Sequence, residues 1–458
     1  MHKNHQYLIC LLSIALSNAS ASTLTLSDAY RYAQKSNLAI KEAKLTWLAN
    51  KNDENIALSY LLPQLSVTGA YNKNKSVYPE NDQTKEVKLY YGERNTSMSL
   101  SQELFNMNSY FSYSQANQKV AQDLLTYQKE LQALTLDVAT QYFNLILEIE
   151  NHNFLKTEES ETLKRLQDVK LQVRHGTMTK AQLLEVKAQA ERVHAQIIEA
   201  KQRLLFQKDL LSDTIGFHRF DSIMALGKSS NTLSLPIPKL AHWIQDTKQN
   251  NLSLKIAEKA VQQASYEEQA NISNYIPTVS LSTSFNRHDY HSQSLKSEDT
   301  TAEINTKKDY DQYSGQITVS TPLYDGGKRF YNSAKAHQNL KRSKTSQKNT
   351  QQTIIRDVKN LYRRLNLSHE IMTSKEAALQ SSREMLRIAK IGFNEGAITV
   401  LETLENISNV TKDHQSLEET KYHYLLNLLE ILILSGIISP KDMDTINQDL
   451  HQKLTIPA

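Results

Sequence analysis

The side chains that could do chemistry are few and scattered. The chain has 14 histidines, yet none stands in a His-Glu-x-x-His arrangement that would put two imidazoles and a base on one helix face. No Gly-x-Ser-x-Gly elbow presents a nucleophile, and no phosphate-binding loop or other nucleotide motif is present. His288, Asp289 and His291 are close enough in sequence to touch a metal, since imidazole and carboxylate both ligate zinc. They stand in a polar segment where solvated loop polarity is the simpler expectation, so no metal and no cofactor is expected. Glu402 and Glu405 lie three apart, on one face of any helix that carries them. Such a pair attracts cations but forms no motif-fixed catalytic site, and an enzyme is not expected.

These residues must be held by unusually long elements. Among 458 residues there are only 11 Gly and 8 Pro, which predicts very long helices instead of the two or three compact domains the length would allow. The formal charge of +4 is mild, and no Lys/Arg block marks a surface for nucleic acid. Residues 1–21 put His2, Lys3 and His5 before an apolar run at 7–16, then Ala19-Ser20-Ala21. That order is a secretory signal peptide. Cys10 is the only cysteine and falls inside it, and bulky Ile9 does not suit a lipidation site. The mature chain is therefore expected to have neither disulfides nor cysteine ligands. No later run is long and apolar enough for a membrane-spanning helix; the stretch 424–438 is short and interrupted by Asn427 and Glu430.

The chain repeats itself. Pro63 in Leu-Leu-Pro-Gln-Leu-Ser-Val recurs as Pro277 in Tyr-Ile-Pro-Thr-Val-Ser-Leu, and 277 minus 63 is 214. Asn37-Leu38 matches Asn251-Leu252 at the same offset, and an offset of 220 then pairs Val138 with Val358, Tyr142 with Tyr362, Gly176 with Gly396 and Gly216 with Gly436. A tandem unit of some 200 residues is too large for a solenoid repeat. Copy one is placed at 22–235 and copy two at 236–458, the latter with a C-terminal tail.

Each copy has the same order of elements. Opening helices are expected at about 27–61 and 239–275, stopped by Pro63 and Pro277. Strict alternation of apolar with hydroxyl or amide residues then predicts strand pairs at 63–72 and 94–105, and at 277–286 and 313–324. Four such strands have the pattern of a membrane barrel, although a half-buried soluble sheet alternates the same way. The polar segments 73–93 and 287–312 are expected to be external loops. Breaker-free hairpins follow at 106–216 and 328–436, whose first arms would reach roughly 100 Å as helices. Leu131, Leu134, Val138, Tyr142, Leu145 and Ile149 recur at coiled-coil spacing. The fold class is thus mainly α, with long coiled-coil hairpins and a small β part.

Four strands cannot close a barrel in lipid, where every backbone group needs a partner, so the chain must oligomerise. A chain of this kind resembles the TolC family of outer-membrane efflux proteins over essentially its whole mature length. The resemblance rests on the doubled helix-proline-strand units, Ser-Gln-Glu-Leu-Phe-Asn at 101–106, Ala-Thr-Gln-Tyr-Phe-Asn at 139–144, Thr-Pro-Leu-Tyr-Asp-Gly-Gly at 321–327, and Gly396 with the acidic helix after it. It implies a homotrimer with a twelve-stranded barrel in outer-membrane lipid and a helical tunnel, an α-barrel, across the periplasm of a Gram-negative cell. It also implies partners: a periplasmic adaptor, or membrane fusion protein, and an inner-membrane pump of RND, MFS or ABC type. The rival is a structural periplasmic coiled coil without transport activity, which explains the helices but not four alternating strands.

By that resemblance, Glu402 and Glu405 would ring a periplasmic constriction, Asp325, Gly326 and Gly327 would make the strand-to-helix turn, and the adaptor would grip the hairpin tips at Gly176, Thr177, Met178, Gly396 and Ala397. The gate departs from the family pattern. Phe393 and Ile398 stand where the family has a tyrosine and an arginine, and Gln182 replaces an aspartate. Apolar contacts from Phe393 and Ile398 are therefore expected to hold the closed state in place of a polar latch.

Overall fold

The computed structural model describes residues 22–78, 86–227, 237–297, 300–303, 309–438 and 440–457. The expected leader with Cys10 lies outside them, as do parts of both presumed external loops. The first copy contains β1 (Ser22–Leu24), α1 (Leu26–Ser36), α2 (Leu38–Ser59), β2 (Gln64–Tyr78), β3 (Val87–Phe105), α3 (Met107–Arg174), α4 (Lys180–Ile215) and β4 (Phe220–Leu226). The second contains α5 (Leu240–Asn250), α6 (Leu252–Ser273), β5 (Thr278–Ser297), β6 (Thr300–Glu303), β7 (Tyr310–Ser320), α7 (Lys328–Asn394), α8 (Val400–Ser435), α9 (Pro440–Asp449) and β8 (Leu450–Thr455). The chain is mostly helical with a few strands, and α3, at 68 residues, spans roughly 100 Å.

Three features differ from the sequence expectation. Each opening helix is two helices, broken at Asn37 and Asn251, whose backbones leave the helical region at ψ 123° and 124°. Asn37 accepts from Ile40 N at 3.1 Å, capping α2, and donates to Thr214 O at 3.3 Å. Asn251 likewise donates to Leu434 O at 2.7 Å. Apolar periodicity runs through such a break, so only the asparagines announce it. The strands are also longer than expected and consume much of 73–93 and 287–312, while β7 stops at Ser320 and leaves 321–324 outside the sheet. Finally, β1, β4 and β8 form a small sheet that three short strands, far apart in sequence, did not betray.

The chain divides into two compact units. One holds residues 42–129 and 252–353, with the large sheet in the order β2-β3-β5-β6 and β7 also on β5. Register aligns the two faces into rows. Val67, Met98, Phe285 and Tyr313 stand side by side, as do Ser66, Ser99, Ser284 and Ser314 one residue along. The hydroxyl row is knitted by Ser66–Ser99 at 2.8 Å and Ser284–Ser314 at 2.7 Å. The apolar row is left bare: Leu65, Val67, Tyr313, Ile317 and Val319 are each more than half exposed. Water would penalise such a face, and lipid would not.

The other unit holds residues 22–41 of the described chain with 130–251 and 354–457. Its core is the predicted seam of α3, in which Leu134, Val138, Tyr142, Leu145 and Ile149 are buried. Tyr142 has no contact with solvent, and its hydroxyl donates to Met224 O at 2.8 Å and accepts from Met224 N at 3.2 Å. Tyr422, its ring tilted against Phe143 with centroids 5.4 Å apart, accepts from Leu226 N at 3.2 Å. These two phenols tie the small sheet to the helices. Burial pushes both well above the ordinary tyrosine range, so they remain neutral donors and acceptors.

Candidate functional site

The ends of the two helical hairpins are built alike. In each, glycine takes a positive φ, +77° at Gly176 and +75° at Gly396, and the next residue closes back on the helix. Thr177 N donates to Gln172 O at 3.0 Å and Ala397 N to Gly392 O at 2.8 Å. A side chain would find open space at either glycine, so the turn asks only for the left-handed conformation. Thr179 and Thr399 then cap α4 and α8 by accepting from the amides of Gln182 and Glu402, each at 3.2 Å. Gly176, Thr177, Gly396 and Ala397 are exposed, while Met178 folds inward.

Beneath the tips lies one apolar cluster that all four hairpin helices share. Val169 of α3, Val186 of α4, Phe393 of α7 and Val400, Leu404 and Ile407 of α8 are buried together, with Met178 and Leu183 packed on them. Phe393 is thus an interhelical contact. Ile398 is not part of the cluster. It lies over its own turn, where a Cβ on Gly392 would meet its Cδ1 at 2.9 Å. Gln182 closes a capping box, accepting from Thr179 N at 2.9 Å, and reaches no other hairpin. The three candidate gate residues therefore separate, and only Phe393 bridges the hairpins.

Polar groups that sequence reasoning passed over complete the bridge. The Arg165 guanidinium of α3 lies 4.3 Å from the centre of the Phe393 ring and is 7% exposed, a desolvated cation–π pair. Its partner Asp168 is 3.3 Å away, while its Nε has no acceptor. Burial draws the guanidinium pKa down, opposed by Asp168 and Glu161. One turn earlier Glu161 pairs with Lys390 of α7. Burial pushes the Glu161 carboxyl up, but Lys390 and Lys164 together hold it below the usual range. A signal existed, because Leu155, Glu158, Thr162, Arg165 and Val169 continue the α3 seam at spacings of 3, 4, 3 and 4. A charge on a seam is an expense that needs a reason.

Glu402 and Glu405 are exposed on α8, on one face as expected. At the offset of 220 they match Gln182 and Glu185, the latter also exposed, a carboxylate the sequence reading did not single out. At the strand-to-helix turn Gly326 and Gly327 take φ +70° and +86°. Asp325 accepts from Arg329 N at 3.1 Å, and Arg329 lies 5.0 Å over the Tyr275 ring. His288 pairs with Glu93 at 3.0 Å and Asp289 with Arg287 at 3.1 Å. Among the described residues no cluster suits a metal ion.

Comparison with known proteins gives this geometry a setting. A family profile described as "Outer membrane efflux protein" matches residues 29–216 and 243–436. The chain is 23% identical to "Outer membrane protein TolC" of Vibrio cholerae, with 86% of each chain covered. It is 21% identical to "Alkaline protease secretion protein AprF" of Pseudomonas aeruginosa, over 94% of this chain and 89% of that protein. Its fold matches the crystal structure of the Campylobacter jejuni CmeC outer membrane channel at a TM-score of 0.76 and 17% identity, over 93% of this chain and 89% of the other.

Proposed function

We propose that this chain, which belongs to the outer membrane efflux protein family and lies in the outer membrane of a Gram-negative cell, is the exit duct of a tripartite export machine, assembled as a homotrimer. The observation that carries this is the large sheet. It has an apolar face, a hydroxyl face and two outer strands, β2 and β7, each paired on one side only among the described residues. An open edge in lipid is untenable, and the four long strands, β6 being a four-residue strand on the end of β5, fall short of the roughly eight that the smallest barrels need. Three copies supply twelve. In that assembly the hydroxyl rows line a wet lumen and the apolar rows meet lipid. The chain supplies no energy source, so an inner-membrane pump of RND, MFS or ABC type drives transport. A periplasmic adaptor docks on the exposed turns at Gly176, Thr177, Gly396 and Ala397, with Met178 anchored beneath. The likeness to a protease secretion protein adds polypeptides to small molecules as cargo.

The cluster under the tips is the gate in this reading. Phe393 and Arg165 hold the two hairpins together with the Glu161–Lys390 pair, and the acidic positions Glu402 and Glu405 gather at the constriction. Extraction of the mature protein from outer membranes tests the duct: an SDS-resistant, heat-modifiable oligomer that conducts in planar bilayers is expected. Release of the protein by osmotic shock alone would refute it and favour a soluble coiled coil.

A further inference from the structure

The border of the apolar face is sharp. Along the large sheet the last apolar row is Val67–Met98–Phe285–Tyr313. Two residues further from the helices, on the same face, the row is Gly69, Thr96, Arg287 and Asp311, and two further still it is Tyr71, Arg94 and Asp289. Beyond these come Lys73 opposite Gly92, then Lys75 opposite Tyr90, then Val77, Lys88 and Lys296. Past the apolar band the face therefore crosses two charge-balanced rows, Arg287 with Asp311 and Arg94 with Asp289, and turns basic beyond them.

The cations in this patch are gathered, not scattered. Lys75 Nζ and Lys296 Nζ stand 5.7 and 5.6 Å from the centre of the same Tyr90 ring, one from each neighbouring strand. Lys73, Lys75 and Lys296 are exposed. Arg287 is matched by Asp289 at 3.1 Å and Lys88 by Glu86 at 2.6 Å; Lys73, Lys75 and Lys296 have no ion pair among the described residues, and Glu86 acts on Lys75 only at longer Coulombic range. Like charges held around one ring repel each other unless an anion sits between them. At about 3.3 Å per residue and a tilt near 45°, Lys73 to Lys75 lie roughly 14 to 19 Å above the Met98 row, outside the hydrocarbon and on its polar side.

We propose that Lys73, Lys75 and Lys296, with Tyr90 as their platform, form a binding site on the outer wall of the barrel for the phosphates of the outer-leaflet glycolipid, lipopolysaccharide. The inference rests on the reading that the apolar face meets lipid. Phosphate oxygens would accept from the lysine ammonium groups, and the acyl chains would lie against Val67, Met98 and Phe285 below. A cationic cluster over the apolar band serves one phosphate-bearing lipid, whereas free phosphate would gain nothing from the band.

The test uses the full-length protein purified from outer membranes in mild detergent, with retained glycolipid measured by mass spectrometry. The Lys73→Gln/Lys75→Gln/Lys296→Gln variant is expected to retain at least about tenfold less than wild type, given the worth of each headgroup lysine. The triple arginine variant should retain it, which separates lost charge from a misfolded barrel. Added diphosphorylated lipid A should rebind to wild type, dephosphorylated lipid A should not, and millimolar inorganic phosphate should fail to displace the lipid. Equal retention by the glutamine variant, equal rebinding of dephosphorylated lipid, or displacement by free phosphate would each overturn the site. Oligomer and bilayer conductance of the glutamine variant should match wild type. If wild type itself forms neither, the duct reading has failed, which is a different result from equal retention by a conducting variant.

Discussion

Arg165 is a costly group to bury, since its Nε is unpaired and its one carboxylate partner is half in water. Replacing a buried ion pair by apolar side chains of similar volume is often neutral or stabilising by about 1–4 kcal/mol, and Asp168, the partner left behind here, is already half in water. Arg165→Met should therefore keep or raise the melting temperature, yet it should raise the closed-state current in planar bilayers because the grip on Phe393 is weakened. An unchanged closed current would remove Arg165 from the gate. Phe393→Ala should do both kinds of harm, with a loss of about 3–5 kcal/mol, whereas Ile398→Ala, outside that cluster, should leave the current alone. Glu150 gives a pH signature. It lines a cavity of about 460 Å³ with Glu148, Glu418 and His423, and burial, then Glu418, push its pKa from 4.5 up to about 8 against the pull of Lys421. Between those two values the folded chain keeps a proton that the unfolded chain gives up, so stability falls as pH rises from about 4.5 to about 8 and is flat above. Glu150→Gln should be more stable than wild type by about 1–3 kcal/mol at pH 8 and nearly equal at pH 5. Thermal melts that differ by the same amount at both pH values would contradict this.

At the scale of elements, Gly216 and Gly436, paired in the sequence by the offset of 220, end α4 and α8 alike with φ of +63° and +72°. What sequence periodicity missed is local hydrogen bonding. The helix breaks at Asn37 and Asn251 depend on which side-chain amide reaches which carbonyl, and 3.6-residue periodicity passes over them unmarked. Strand ends were misjudged for a related reason: 73–78 and 87–93 are polar and charged, the usual mark of loops, but here they are strands that continue past the apolar band. Under the hairpin tips, Phe393 drew notice only through the family resemblance, while Arg165 and Lys390 required knowing which helix lies opposite. Asn251→Ala should cost about 1–2 kcal/mol by orphaning Leu434 O, and more than Asn37→Ala, whose 3.3 Å bond to Thr214 O is longer. Chemical denaturation of the detergent-solubilised protein would rank them; the reverse order would show that burial of Asn251, at 5% exposure, is not what matters.

For the whole molecule the two faces of the large sheet make opposite predictions for neighbouring residues. Ile317 belongs to the bare apolar row and Gln316, next to it, to the hydroxyl face. Ile317→Lys should cost about 2–4 kcal/mol in lipid and abolish the SDS-resistant oligomer, whereas Gln316→Lys should leave the oligomer intact and shift conductance toward anions. Identical behaviour of the two variants would mean the faces are assigned wrongly. The matched hairpin caps carry a last implication. Around the mouth of a trimer, six near-equivalent helix starts would be spaced like the corners of a hexagon. Glu185 and Glu405 occupy the same place in both halves and repeat at all six corners, but Glu402 answers to Gln182 and repeats at only three. In such a trimer the electric field would be a triangle drawn inside a hexagon, and a passing ion would meet walls of two kinds in turn.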